Sequence, residues 1–220
     1  MFYEPTRTFA TLEGRKAAWL PSLLLVLSMT ALLLWYFSIV DYAWLLEQMM
    51  ASIDSTAERE KMASLLSPNA MKATSIGGAV VGLMLILAVF GLYFMIVGKA
   101  ISKEFSYGAG FALAAWSSVP SLLALPLGAM QIMLASNRQF GFSELNPLSL
   151  NTLIFHYDQN HPMAALLDSV SIITVWSAIL AVIGFQAWAK VSRAAAIKAV
   201  FIPYLTVYAV WLAISLRTAA

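Results

Sequence analysis

The chain has 220 residues, of which 61% are hydrophobic and 11% charged, with a formal net charge of +2 and a mean hydropathy of +0.80. Soluble domains carry roughly 25% charged residues, so a water-facing surface cannot be assembled here, and the solvent for most of the surface must be lipid. The small net charge argues against nucleic acid as a partner, and the absence of cysteine excludes disulfides, thiolate nucleophiles and cysteine-ligated zinc.

The arm 1–16 holds Phe2, Tyr3, Phe9 and Leu12 among charges, with Pro5 as a helix opener. It suits an interfacial helix, and the simpler expectation is an anchor that fixes the entry of the first span. Residues 17–220 then form the membrane domain. Its long charge-free runs are Ala17 to Val40, Ala73 to Gly98, Phe105 to Asn137, Ser169 to Ala189 and Ala199 to Leu216. Roughly 20 apolar residues cross a bilayer as a helix, so each run predicts one span. The first is longer than the apolar core of a signal peptide and no A-x-A pattern follows it, so it is read as retained. The third contains Pro120 and Pro126, which predict a single kinked span from about Tyr107 to Ala135. The expected fold class is all-α, a polytopic membrane protein with five transmembrane helices.

Orientation follows the lysine and arginine bias of short loops. Arg7, Arg15 and Lys16, then Lys99 and Lys103, then Lys190, Arg193 and Lys198 fall on one side, while most of the acidic residues fall on the other. The basic side is expected to be cytoplasmic, which puts the N-terminus in and the C-terminus out.

The connections on the other side are long, 41–72 and 136–168. In the first, Tyr42, Leu45, Leu46, Met49 and Ile53 recur at helical spacing. Ser55 and Glu58 fit a capping box, and Met62, Leu65 and Leu66 follow. A helical hairpin is predicted, partly an extension of span one, with its apolar stripe on the membrane or on other helices. In the second, Asn146-Pro147 marks a turn and Ser149 to Tyr157 a short helix on the bilayer. Ser67-Pro68 opens span two, His161-Pro162 has the same grammar for span four, Ser192 caps span five, and Pro203 bends it.

Little in the chain suggests chemistry. Gly108-Ala109-Gly110 lacks the strand and lysine of a nucleotide site. Gly77, Gly78 and Gly82 form a small-residue face whose expected use is close helix packing. His156, Asp158 and His161 sit together in the outer loop, but their spacing matches no helical ligand motif and His161 also reads as a cap. No nucleophile, base and orienting group stand together, so neither catalysis nor a cofactor is expected. Asp168 comes closest to an intramembrane charge and is placed near the outer interface. Span four carries a polar and small seam at Ser171, Thr174, Ala178 and Ala181, and span three adds Ser117, Ser118 and Ser121 around Pro120. A broken helix frees carbonyls that can line a site. A lipid or partner groove is therefore expected between spans three and four, at Ser117, Ser118, Pro120, Ser121, Asp168, Ser171 and Thr174.

Several segments resemble the Yip (Ypt-interacting protein) family of five-span membrane proteins, in its bacterial branch. They are Phe2-x-x-Pro5-x-x-x-Phe9-x-x-Leu12 with Trp19-x-Pro21, then Phe105 to Pro120 and Asn146-Pro147-Leu148-Ser149. Leu166-Leu167-Asp168, Trp176, Gly184 and Ser192 to Ala199 complete the set. The resemblance implies five spans and a cytoplasmic N-terminus. Eukaryotic members bind prenylated small GTPases through a long cytosolic N-terminal region; here span one begins near Ala17, so GTPase binding is not expected to carry over. The expectation is a non-enzymatic protein of the bacterial cytoplasmic membrane that organises membrane or binds lipids or other membrane proteins. The alternative is a small transporter or permease accessory with a substrate path between spans three and four. An intramembrane enzyme ranks last.

Overall fold

The computed structural model describes residues 3–13, 17–51, 53, 55–102, 105–135 and 137–219. Phe2, Arg15, Lys16, Lys103 and residue 136, which entered the reading above, lie outside the described residues. The helices are α1 (Pro5–Leu12), α2 (Trp19–Ile39), α3 (Tyr42–Met50), α4 (Thr56–Leu65), α5 (Pro68–Ser102), α6 (Tyr107–Ser117), α7 (Ala124–Leu134), α8 (Ala164–Ser169), α9 (Ile172–Ala189) and α10 (Arg193–Ala219). Five spans are long and apolar enough to cross a membrane: α2, α5, α6 with α7, α9 and α10. The α6–α7 span and α9 have 44% of their apolar windows buried, against 17–22% for the other three, so they form the centre of the bundle. Leu85, Val89 and Ile96 on α5 point outward, as residues facing acyl chains do.

Two large apolar clusters, with a smaller one of Leu87, Ala114 and Ala115, fill the bundle among the described residues. Phe9, Phe94, Phe105, Leu113, Phe185 and Val200 occupy the end that carries α1. Tyr36, Leu45, Met71, Ile132, Phe140 and Leu145 occupy the end that carries α3 and α4. Because lipid tails are as apolar as leucine, burial from lipid gives little net hydrophobic gain, and close packing and hydrogen bonds must hold the helices together. Glycine provides the closest approach. A Cβ built on Gly110 would lie 2.2 Å from the Gly91 carbonyl oxygen, and one on Gly91 would lie 2.9 Å from Phe111 Cα.

Prolines shape three spans, and neighbouring side chains repair what they break. Pro203 leaves the Ala199 carbonyl without a helical donor; the Tyr93 hydroxyl donates to it at 2.6 Å. Pro21 falls in the first turn of α2, and the Ala17 carbonyl just before that helix accepts the Trp116 indole N–H at 3.2 Å. Span three breaks at Pro120, as expected: Val119–Leu123 is a 3₁₀ turn in which the Ser121 N–H reaches back only to the Ser118 carbonyl, at 2.9 Å. Pro126 falls in the first turn of α7, where no helical donor is required.

The predicted starts hold at several places. Pro5 opens α1, Ser67 Oγ accepts the Ala70 N–H at 3.2 Å, and Ser192 Oγ accepts the Ala195 N–H at 3.3 Å. Asp41 caps α3 by accepting from Ala43 at 3.0 Å and Trp44 at 3.2 Å, an arrangement worth roughly 1 kcal/mol. α3 is thus a separate helix rather than a continuation of span one. Ser55 Oγ caps α4 through the Glu58 N–H at 3.4 Å.

Other expectations change. Span four does not start at His161-Pro162. That pair opens only the short α8, with His161 Nδ1 accepting the Met163 N–H at 3.1 Å. The chain then extends through Val170, and α9 begins afresh at Ile172 with Ser171 as its cap, accepting the Thr174 N–H at 3.1 Å. The break comes from a pairing with the outer loop: the Leu150 N–H donates to the Val170 carbonyl at 2.7 Å and the Ile172 N–H to the Leu148 carbonyl at 3.1 Å. Asp168 consequently lies on α8 and not in the span. The turn at Asn146-Pro147 is present, with the Ser149 N–H on the Asn146 carbonyl at 3.1 Å. The expected helix after it is a π-helical turn, Asn151–Phe155. The apolar stripe of the hairpin is seated only on α3, through Leu45. No residue of α4 is buried, and Met62 and Leu65 stay exposed. Gly77, Gly78 and Gly82 do not pack: a Cβ on any of them would meet nothing within 4 Å.

Candidate functional site

The break at Pro120 opens a cavity of about 150 Å³ between α5, α6, α9 and α10. Ser117, Ser118 and Ser121 line one wall, Thr174 and Ser177 another, and Phe90 and Tyr204 close it. Ser117 and Ser118 both donate to the Ala114 carbonyl, at 3.1 and 2.8 Å, so their oxygens remain free to accept. Thr174 Oγ1 lies 3.2 Å from the Ser169 carbonyl and 3.0 Å from Ser171 Oγ. The Ser177 hydroxyl is buried without a partner among the described residues. Among the described residues, no histidine, lysine or carboxylate lines the cavity, so no base stands beside its hydroxyls there.

Four of the seven expected residues, Ser117, Ser118, Ser121 and Thr174, meet in this cavity. Pro120 is fully buried and makes the break without lining the space. Ser171 caps α9 and faces a different pocket. Asp168 is turned away, its Oδ1 accepting from Ser149 Oγ at 3.3 Å and its carbonyl from Asn146 Nδ2 at 3.4 Å. Ser177 was missed, although it lies one helical step, three residues, beyond Thr174 on α9.

Larger spaces include one of about 490 Å³ at the outer loop, lined by Gln48, Glu144, His156 and Asp158 among others, and two on the outward side of α9. One, of about 380 Å³, is walled by Leu148, Leu150, Leu153, Val175, Trp176 and Ile179. The second, of about 610 Å³, lies between α1, α9 and α10 and is walled by Ile179, Val182, Ile183, Ile197 and Phe201. Thr6, Gln186 and Arg193 line it as well. Ile179 belongs to both, so they follow one another along α9 as a single groove, apolar along most of its length and polar at the α1 end. The expected site between spans three and four did not include it, because one wall is built by α1.

α1 is held firmly. Phe9 is fully buried and meets Trp188 edge-on, with ring centres 5.6 Å apart, while the Trp188 indole N–H donates to the Phe9 carbonyl at 2.8 Å. A Cβ on Gly184 would lie 2.6 Å from the Phe9 ring, so glycine there makes room for it. In the outer loop, the His161 ring stacks on Tyr157 at 3.8 Å, and among the described residues no three histidine, aspartate or glutamate side chains are grouped to hold a metal.

These features define a five-span α-helical integral membrane protein with a largely apolar groove along α9 and a small hydroxyl-lined cavity. The chain belongs to the Yip1 domain family, whose sequence model matches residues 1–214. No curated protein and no solved structure matches the chain.

Proposed function

We propose that this chain is a non-enzymatic membrane protein that holds phospholipid along α9 and thereby organises the membrane or neighbouring membrane proteins. We place it in a bacterial cytoplasmic membrane, N-terminus in and C-terminus out, without a cofactor. The observation that supports this reading is the groove along α9. Its walls are apolar side chains, its volumes fall in the range of about 300–1,000 Å³ usual for ligand sites, and its polar residues gather at one end. Ile179 is 47% exposed where the two halves of the groove meet, so a larger side chain there plugs the groove without disturbing the core. Native mass spectrometry of gently extracted protein is expected to show stoichiometric phospholipid on the wild type and its loss from Ile179→Trp. A lipid-free wild type that co-purifies with other membrane proteins would favour scaffolding alone.

A second reading has its own observation. The unpartnered Ser177 hydroxyl beside Ser117 and Ser118 supplies hydrogen bonding inside the bundle, as a path for a small neutral polar solute would. In proteoliposomes, glycerol flux above that of empty vesicles, abolished by Ser177→Leu, would support a permease. Flux equal to that of empty vesicles would end it.

A further inference from the structure

We propose that the α1 end of the groove selects anionic phospholipid, with the Arg193 guanidinium on the phosphate and Thr6 and Gln186 donating hydrogen bonds to the headgroup; this rests on the lipid-binding reading above. Arg193 is, among the described residues, the one charged residue lining this part of the groove, and no carboxylate among them lines it. Among the described residues, the side chains of Thr6, Gln186 and Arg193 make no hydrogen bond or ion pair with the protein. Within the same described set, Lys190 is paired with Glu13 at 3.5 Å and Arg7 with Glu4 at 3.3 Å. Three unpartnered polar groups therefore converge where an apolar groove reaches the membrane surface. All three side chains are exposed, so each is open to a headgroup at that surface. An arginine fork matches two phosphate oxygens, and α10, which begins at Arg193, directs the positive end of its dipole the same way. A zwitterionic headgroup would find its phosphate site but no acid among the described lining residues for its ammonium, so their charge balance favours a net negative lipid.

The length also fits. Seven residues separate Gln186 from Ile179 and eleven separate it from Val175, so the groove runs about 10 Å to the first and about 17 Å to the second at 1.5 Å per helical residue. One leaflet of hydrocarbon is about 15 Å thick. An acyl chain hanging from a headgroup at Arg193 therefore lies against Val182, Ile179 and Val175.

The test uses the full chain in mild detergent, exchanged into nanodiscs of equal parts phosphatidylglycerol and phosphatidylcholine, with the lipids retained on re-extraction read by mass spectrometry. The wild type is expected to retain phosphatidylglycerol over phosphatidylcholine. Arg193→Gln is expected to lose roughly tenfold of that preference, the scale of one lost charge-assisted contact, while holding as much lipid in total; Arg193→Lys should keep part of it. A wild type that retains the two lipids equally, or an Arg193→Gln variant with its preference intact, overturns the selection and leaves lipid binding standing. Retention of no lipid by the wild type overturns both.

Discussion

Gly110→Ala is expected to destabilise the protein by about 2–3 kcal/mol, the cost of forcing atoms into a filled interior. The added methyl would lie 2.2 Å from the Gly91 carbonyl oxygen and 3.2 Å from the Met95 nitrogen. Both obstacles are backbone atoms of α5, so no side-chain rotation relieves the clash and the two helices must separate. The α5–α6 interface runs through this point, with Gly91 pressed on Phe111 and Gly98 on Phe105. Prising it apart also disturbs Leu113 and Phe105 in the core beside it. Gly78→Ala adds the same methyl to α5, where nothing lies within 4 Å, and it should leave the protein unchanged or stabilise it by up to about 1 kcal/mol, the helix preference of alanine over glycine. Thermal unfolding in detergent separates the two: a midpoint lowered by roughly 5–10 °C for Gly110→Ala and unchanged or raised for Gly78→Ala. Equal midpoints would mean that the glycine contact does not hold these helices.

Phe9→Ala should cost about 3–5 kcal/mol at the docking of α1, the usual penalty for emptying a fully buried phenylalanine site. The ring fills the space that Gly184 leaves on α9 and touches Trp188 and Leu113's neighbourhood in the same cluster. α1 is not a span, so the bundle is expected to survive while the arm comes free. That loss raises the open population roughly a hundredfold or more, which limited trypsin digestion reads as faster cleavage after Arg7. Trp188→Phe removes only the 2.8 Å bond to the Phe9 carbonyl and should shift the same cleavage by about 1 kcal/mol. If Arg7 in Phe9→Ala stays as resistant as in the wild type, α1 is held by something other than this side chain.

What could be read in the sequence was what depends on neighbours along the chain. Charge-free length marked the spans, because lipid imposes it on any residue order. Caps at Ser67 and Ser192 and the break at Pro120 were visible because each is a bond, or a missing donor, within a few residues. The start of α9 was hidden: the groups that stop α8 from running on belong to Leu148 and Leu150, far back in the chain. The GxxxG face at Gly78 and Gly82 drew attention as a motif, yet the glycines in contact across helices include Gly91, Gly98, Gly110, Gly128 and Gly184, each defined by what sits opposite. The serines around Pro120 announced a polar lining, but Asp168 was assigned to it only because α8 and α9 were read as one helix. The groove along α9 needs α1 folded against it, and no local pattern records that.

The bond between Trp188 and Phe9 joins positions 179 apart. A ribosome adding roughly 5–20 residues per second takes about 9–36 s to cover that distance. For that interval the N-terminal helix has no α9 to receive it. Its aromatic side chain must wait at the bilayer surface, and the arm takes its final place only after the fourth span has been delivered.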